Sequence, residues 1–560
     1  MQRSGTRPPW QVANPRLNTI LLGAGSWLGL FLLTLWAYWP AREAGFISDF
    51  TGHQMLFVQG AHLGWWNSFG WHGNQPILFG LMSGWYQLVG IQPLPWFVLF
   101  CGWHAVNATL VGLLGFRIWR SIWPADARIA ASVVAILFLL HPYQAEVVVW
   151  KVCLHYLLNV TALLGMLLLL LRSRASMPWS GWVLFHLLFL LALLSLELAL
   201  IYPIMLLVTL WWWGRVQGWA VPDRRRWAAW IIGPQTGLVV LYLLANRWRM
   251  GAWLGHYGDE VHLRFSLSDL SANAWQYLVK YLAFSRDWPY AWKKAIVELS
   301  ANHPTWMVIL VVTLFFLWIA WLVSRSDRKT TTMLWAGLLF ALALAPVLSL
   351  YVAWMGHVEN DRYGYLASVF FLLAWQSLLL RGPRWLMLAV WLCWGGVEWI
   401  SLQANVDRWD QSNRLYTSLL DDWRWTDDRD VYVLGIPENY QGLFLFRSFV
   451  PGETLRDGLI WTAGKEFRGR IHEIAAFQVG ALTDGLEVTP VNDRIVEVRF
   501  RQWGNWFLRK GLGASDYRED GYEVDFFEGG YRITFDEADP RRLLIYSDGG
   551  QWVEVPAGSK

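Results

Sequence analysis

The chain has 560 residues, of which 55% are hydrophobic, 16% are charged and 43 are Trp. Ordinary soluble domains carry about 25% charged residues, so this composition excludes a soluble globular protein and predicts a polytopic membrane protein. The net charge of +4 gives no support for a nucleic-acid partner.

Apolar runs along the chain predict eleven membrane-spanning helices, because a bilayer core of ~30 Å needs about 20 apolar residues per helix. The first run is too long for a cleaved signal peptide, so we expect it to be a retained span. The run at 77–91 is shorter and broken by glycine, which indicates an interfacial or re-entrant helix. The predicted spans are 18–39, 94–116, 128–141, 153–171, 179–195, 197–213, 228–246, 306–324, 331–351, 363–380 and 385–401.

The basic residues of the short loops test this division, since cytoplasmic loops carry an excess of Lys and Arg. With the N-terminus inside, the basic loops all fall on the cytoplasmic side, at Arg117, Arg120, Arg128, Arg172, Arg174, Arg215, Arg224, Arg225, Arg226, Arg325, Arg328, Lys329, Arg381 and Arg384. The short outward segments hold only Lys151 and Arg362. We therefore expect a multi-pass protein of the cytoplasmic (inner) membrane with an extracytoplasmic, periplasmic C-terminus.

Two outward regions are larger than plain connectors. Loop 247–305 contains helical, Trp-rich pieces, and long loops of this kind are usually functional. Beyond Asn405 the composition becomes charged, with VYVLG, LFLFR, RIVEVRF, YEVDFF, GYRITF and LLIYS separated by turn residues. Short alternating strands of this type predict a small β-rich domain. The expected fold is thus an all-α membrane domain over 1–420 and a β-rich extracytoplasmic domain over 430–560.

The first outward loop, 40–76, carries a carboxylate, Asp49, about ten residues after the first span. Asp49 is either a solvated loop acid or a catalytic base at the water–lipid boundary. Groups suited to ring-shaped polar ligands surround it in the sequence and favour the second interpretation: His53, His62, His72, Trp65, Trp66 and Trp71.

Three further outward segments present ionisable residues at span ends, where such residues are informative because charge is costly at membrane depth. These segments are HPYQAEVVVWKVCLHY, SLELALIYP and HVENDRYGY. The first and third each carry several ionisable residues, and the second carries one acid. Each residue is either a helix-end cap or pair, or part of one outer-leaflet cavity shared with Asp49. The candidates are His141, Glu146, Lys151, His155, Glu197, His357, Glu359, Asp361 and Arg362.

An acid, several cations and many aromatics at the outer surface suit glycosyl transfer from a lipid-linked sugar. A carboxylate can act as general base toward an acceptor hydroxyl, and Arg matches the departing phosphate. Cys101, Cys153 and Cys393 lie in apolar segments without paired spacing, so we expect neither disulfides nor a zinc site. We expect no cofactor, and nothing in the sequence supports a divalent metal.

HPYQAEVVVW, SLELALIYP, PVLSLYVAWMGHVENDRYGYL and NVDRWDQSNRLY resemble, in order and spacing, segments of the GT-C glycosyltransferases. The likeness is to the protein O-mannosyltransferase-like branch, including the members with tetratricopeptide tails. It implies a polyprenyl-phosphate-sugar donor and a catalytic acid in the first outward loop. It also implies catalytic roles for Asp49, Glu146 and Glu197, and contact of Arg362 with the donor phosphate. We expect Lys151 and His155 to assist Arg362 there. The substrate-binding candidates are His53, His141, His357, Glu359 and Trp65.

The chain departs from this family where a β-rich domain replaces the tetratricopeptide tail, and the first loop has a single acid where many relatives have two. Leu154 and Tyr156 stand where the family commonly has Arg and Asp, and Leu196 stands where Lys is common. Two alternatives to an inverting glycosyltransferase stay open: a transporter or flippase of lipid-linked sugars, and a catalytically inactive membrane assembly subunit. The acceptor is a hydroxyl on a protein, a glycan or a lipid.

Overall fold

The computed structural model describes residues 15–63, 75–172, 177–254, 266–285, 288–324, 327–350, 361–426, 428–447, 453–501, 506–508, 511–512, 515–539 and 541–556. In these ranges six helices are long and apolar enough to cross a membrane, or seven if one bent pair forms a single span. The chain is therefore a multi-pass membrane protein.

The first half of the helical region runs through α1 (Pro15–Tyr38), α2 (Asp49–Leu63), α3 (Pro76–Val89), α4 (Pro93–Arg120), α5 (Ala127–Leu140), α6 (Ala145–Val149), α7 (Leu154–Arg172) and α8 (Trp179–Leu193). The second half consists of α9 (Tyr202–Val216), α10 (Val221–Met250), α11 (Leu267–Ala283), α12 (Tyr290–Asn302), α13 (Pro304–Ser324), α14 (Arg328–Leu344), α15 (Tyr365–Leu379) and α16 (Arg384–Asp421). A short helix, α17 (Thr454–Asp457), lies in the C-terminal region.

Each of the eleven predicted spans coincides with a helix, but several of these helices are too short to cross a bilayer, so the count of eleven is not confirmed. The run at 77–91 is helical, as α3. The predicted span at 385–401 is the beginning of α16, which continues for about twenty more residues and includes the NVDRWDQSNRLY segment. Which loops face the cytoplasm stays a prediction.

Buried polar side chains tie the helices together within the apolar core. His104 and Asn107 on α4 both contact the hydroxyl of Tyr365 on α15, at 2.8 and 3.1 Å. Asn107 also accepts a hydrogen bond from Thr161 on α7 at 2.6 Å. Because an unpaired polar group in such a core is costly, this network fixes the relative positions of the three helices.

The predicted strands are all present and belong to three sheets. The strands are β1 (Val431–Val433), β2 (Ile436–Tyr440), β3 (Leu443–Phe444), β4 (Ile471–Glu473), β5 (Ala476–Val479), β6 (Leu486–Asn492), β7 (Ile495–Phe500), β8 (Trp506–Leu508), β9 (Gly511–Leu512), β10 (Tyr517–Glu519), β11 (Tyr522–Phe527), β12 (Gly530–Phe535), β13 (Leu543–Asp548) and β14 (Gln551–Glu554). The sheet orders are β14-β13-β1-β4, β10-β11-β12-β7-β6 and β3-β2-β5-β8-β9. β1 pairs in parallel with both β13 and β4.

The β-rich region packs on the extended end of α16. Trp552 on β14 donates from its backbone to the Asp422 carboxylate at 2.6 Å and from its indole to the Leu419 carbonyl at 2.7 Å. The buried apolar residues of both regions form one continuous core. The helical and β-rich parts are therefore in direct contact, and the domain boundary between 420 and 430 stays a prediction.

Candidate active site

The helix α5 ends in a sharp bend that leads into a short, buried polar turn at 141–146. Its axis turns by 53° into the segment 142–149, because Pro142 has no backbone N–H and disfavours a helical conformation at His141. A 3-10 turn over Pro142–Gln144 then leads into α6. This geometry places Glu146 in the first turn of α6, where its side chain is buried.

Glu146 forms a buried ion pair with Arg362. The guanidinium donates from Nη1 to Oε1 at 2.5 Å, and the backbone N–H of Arg362 donates to Oε2 at 2.6 Å. Burial lowers the pKa of Arg362, but the Glu146 carboxylate outweighs this effect and the net pKa is raised. The arginine is therefore always charged, and both carboxylate oxygens hold it in one orientation.

A second buried ion pair lies next to the first and includes a residue that the sequence analysis missed. Lys280 on α11 donates to Asp361, the neighbour of Arg362, and its ammonium lies 4.5 Å from the ring centroid of Tyr143. The Tyr281 hydroxyl donates to the Gly364 carbonyl at 2.6 Å. The loop 247–305, which is predicted to face outward, therefore packs on the site through α11. In NAWQYLVKYLAF polar residues recur every three or four positions among apolar ones, and this spacing was the available sequence signal for an amphipathic helix.

The loop that is predicted to be the first outward loop contacts the same turn through its residues 45 and 47. The Lys151 backbone N–H donates to the Gly45 carbonyl, and the Trp150 indole donates to the Ile47 carbonyl, both at 3.1 Å. The other side of this tryptophan faces the ion pair, with the Arg362 guanidinium carbon 5.1 Å from its ring centroid. Trp150 thus links the loop to Arg362.

Asp49 begins α2, two residues after the Ile47 contact, and is half-buried. Within the described residues its carboxylate has neither an ion pair nor a hydrogen bond. Burial lowers the pKa of His53, whose ring contacts the Asp49 carbonyl at 2.7 Å, so this imidazole is neutral at pH 7. Asp49 thus lies two residues from the Ile47 carbonyl that binds Trp150, whose ring also faces Arg362.

Lys151 is buried beside the docked loop. Its ammonium lies 5.2 Å from the ring centroid of Phe100 and 6.0 Å from that of Phe97. It has no hydrogen-bond partner in the part of the chain that the structure describes. Burial lowers its pKa to about 8, and Cys101 opposes this shift. Lys151 is thus a buried cation that has no counter-charge among the described residues.

Comparison with known proteins adds little to this geometry. No family model matches the chain, and no curated protein matches it. Among solved structures, the chain is similar to the crystal structure of ArnT from Cupriavidus metallidurans bound to undecaprenyl phosphate. The two share 12% sequence identity over 79% of this chain and 84% of that chain, with a TM-score of 0.32. A score this low supports no conclusion on fold or function.

Of the other predicted residues, some have contacts of their own and some lie outside the described ranges. His141 is buried among the rings of Tyr143, Tyr281 and Phe284, and His155 contacts Tyr156. Glu197 accepts a hydrogen bond from Tyr242 on α10 at 3.3 Å, and its catalytic role stays a prediction. Trp65, His357 and Glu359 lie outside the described residues. No group of three or more potential metal ligands occurs within the described ranges.

Proposed function

We propose that this protein is an integral membrane glycosyltransferase of GT-C architecture that transfers a sugar from a polyprenyl-phosphate donor to an acceptor hydroxyl outside the cytoplasm. The observation that carries this proposal is the pairing of charged side chains around the turn at 142–144 and the helix α6. Glu146 neutralises Arg362, and Asp361 neutralises Lys280. Asp49 and Lys151 remain without a counter-charge in the described part of the chain. A carboxylate without a counter-charge is suited to act as a general base, and a cation without a counter-charge is suited to bind a phosphate.

The proposed reaction is a single displacement. Asp49 takes the proton of the acceptor hydroxyl as that oxygen bonds to the anomeric carbon. The bond from this carbon to the phosphate oxygen breaks, and the polyprenyl phosphate leaves with the electron pair. Because the acceptor attacks opposite the leaving group, the anomeric configuration is inverted.

Arg362 and Lys151 stabilise the charge that develops on the phosphate. A guanidinium carries five N–H groups, and the contacts to Glu146 and the Tyr363 hydroxyl leave further donors for phosphate oxygens. Glu146 holds the arginine in place, so its orientation needs no change during the reaction. The donor phosphate would give Lys151 the counter-charge that the described residues do not supply, and His155 in the first turn of α7 would assist.

The experiment is release of label from radiolabelled polyprenyl-phosphate sugars by purified protein in nanodiscs. Wild type is compared with Asp49→Asn and Arg362→Ala. Two residues of the same loop supply matched controls, Glu43→Gln and Arg42→Ala, because Glu43 is exposed and pairs only with the adjacent arginine in the described structure. We expect wild type and controls to release label, and Asp49→Asn to be slower by roughly 10²–10⁴-fold, the contribution of a positioned general base.

Two outcomes would contradict the proposal. Equal release by Asp49→Asn and wild type would remove Asp49 as the base, and a product with the donor's anomeric configuration would exclude a single displacement. If wild type is silent with every donor, mass spectrometry of bound lipid decides the matter. The absence of any polyprenyl lipid would then refute a lipid-linked donor and favour the inactive assembly subunit.

A further inference from the structure

The helix that begins at Asp49 has a buried polar face directed at the C-terminal region. Ser48, Thr51 and Gln54 are spaced three residues apart, so they lie on one side of the chain, and all three are buried. Polar residues at this spacing on a solvent-facing loop helix would be expected to face water. Here Thr51 and Gln54 form side-chain hydrogen bonds with residues more than 300 positions away along the sequence, and Gln54 also donates to the Tyr86 hydroxyl at 3.4 Å.

Three hydroxyl groups meet on this face. The Thr51 hydroxyl lies 3.1 Å from that of Tyr416 on α16 and 3.5 Å from that of Thr462, in the helical turn after α17. Tyr416 and Thr462 are 3.2 Å apart. Each hydroxyl can donate one hydrogen bond and accept others, so the three can satisfy one another in a closed cluster. This hydroxyl cluster joins α2, α16 and the β-rich region.

Two further hydrogen bonds strengthen the same attachment. The Gln54 amide donates to the Trp461 carbonyl, and the backbone N–H of Ser48 donates to the Leu445 carbonyl at 2.9 Å. Ser48 has a φ of 59°, a left-handed conformation that a non-glycine residue adopts only when its surroundings impose it. Ser48 is the residue before Asp49. The C-terminal region therefore fixes the backbone next to the proposed base, at the start of α2.

The same region is also linked, through α16, to the turn at 142–144 that leads into α6. Gln441, between β2 and β3, accepts a hydrogen bond from Arg408 at 3.0 Å, and Arg408 donates to Asn405 at 2.8 Å. Asn405 in turn donates to the carbonyl of Pro142 at 3.0 Å. The C-terminal region therefore contacts the loop of Asp49 directly, and it is linked to the turn that precedes Glu146 through Arg408 and Asn405 of α16.

We infer that the C-terminal β-rich region is a structural part of the active site that positions Asp49, with Thr462 and Tyr416 as positioning residues. What they position rests on the proposed function, whereas the positioning itself concerns only the attachment of α2. A displacement of about 1 Å can slow an enzymatic reaction by as much as 10²-fold, so a loosened α2 should slow turnover without preventing donor binding.

The experiment combines hydrogen–deuterium exchange with steady-state kinetics on the full-length protein in nanodiscs. The test variants are Thr462→Val and Tyr416→Phe, and Thr462→Ser keeps the hydroxyl. The matched control is Tyr440→Phe, because the Tyr440 hydroxyl bonds Gln411 on α16 at 2.6 Å and so also joins the β-rich region to this helix, but without touching α2. We expect faster exchange in peptides covering 45–58 for the two test variants, and wild-type exchange there for Thr462→Ser and Tyr440→Phe.

The kinetic readout separates positioning from general loosening. We expect kcat to fall roughly tenfold to a hundredfold in the test variants, with the KM for the donor unchanged and with rescue by Thr462→Ser. Wild-type exchange at 45–58 in both test variants would overturn the inference, as would an equal effect of Tyr440→Phe. If wild type turns over no donor at all, the proposed function fails, and the exchange data still decide whether the C-terminal region positions α2.

Discussion

Replacement of Lys151 by methionine should make the protein more stable and less active. The lysine ammonium is buried against two phenylalanine rings and has no hydrogen-bond partner among the described residues. A buried ammonium without a partner is destabilising relative to its hydrated state. Methionine has a similar length and no charge, and its thioether suits contact with aromatic rings. The substitution therefore removes the cost of burying the charge and keeps most of the packing.

The lowered pKa gives the size of this effect. Burial lowers the pKa of Lys151 from 10.5 to about 8, and each unit corresponds to about 1.4 kcal/mol, so the destabilisation is on the order of 3 kcal/mol. Below pH 8 the lysine is charged in both states and the full cost is present. Between pH 8 and 10.5 the unfolded state binds more protons, so stability rises with pH. Above 10.5 the cost is absent.

The assay is the free energy of unfolding in bicelles, measured by steric trapping from pH 7 to 10.5. We expect Lys151→Met to exceed wild type by about 3 kcal/mol at pH 7, with the difference closing as the pH approaches 10.5. Comparison with wild type at each pH cancels the titration of all other groups. Lys294→Met is the matched control, because Lys294 is exposed on α12, and its difference from wild type should be small at every pH.

A less stable Lys151→Met at pH 7 would refute this reasoning, since it would mean that the folded protein supplies a partner for the charge. A gain in stability that does not change with pH would assign the effect to packing. The effect on activity is measured separately. If Lys151 binds the donor phosphate, the more stable variant should have a lower kcat/KM for the donor. Such a trade-off between stability and activity is seen where a site needs a charge that the protein does not neutralise.

Three further substitutions test the packing of the site. Gly45→Ala should detach the first loop and abolish label release, because Gly45 has a φ of +101° and an added Cβ would lie 1.9 Å from the Val149 carbonyl oxygen; limited proteolysis would report the detached loop, and wild-type turnover would contradict the docking. Glu146→Gln should cost about 3–5 kcal/mol of unfolding free energy, because it leaves Arg362 buried without its counter-charge; the double variant Glu146→Gln/Arg362→Gln should recover part of that loss. Lys280→Met should destabilise the protein similarly by leaving Asp361 buried, again measured by steric trapping, and a loss as small as that of Lys294→Met would show the pair to be dispensable.

The sequence predicts the local elements well because their signals are local. Apolar runs and alternating strand patterns require only neighbouring residues, so the eleven helical segments and the strands are found where they are expected. The number of crossings is less accessible, since a run such as 179–195 forms a helix of only fifteen residues. Hydropathy alone does not say whether such a helix spans, dips or lies in the interface.

Part of the candidate site was also predictable, because charged residues at the ends of apolar helices are few. Glu146, Lys151 and Arg362 come together around one turn, as the outward clusters suggested. Their roles within the cluster were not predictable. In the described structure Arg362 has a protein counter-charge and Lys151 has none, and the pairing of Arg362 depends on the fold of segments that are more than 200 residues apart.

The attachment of α2 shows most clearly what a sequence pattern leaves open. In SDFTGHQ the polar residues at 48, 51 and 54 indicate an amphipathic helix whose polar face is in water, and a sequence of this kind contains no sign of a distant protein partner. In the structure that face is covered by residues from α16 and the β-rich region. Without the β-rich region, part of this face would bind water instead, and α2 would lose hydrogen bonds that hold it in place. A chain truncated near residue 430 should therefore keep its helices and lose the defined position of Asp49.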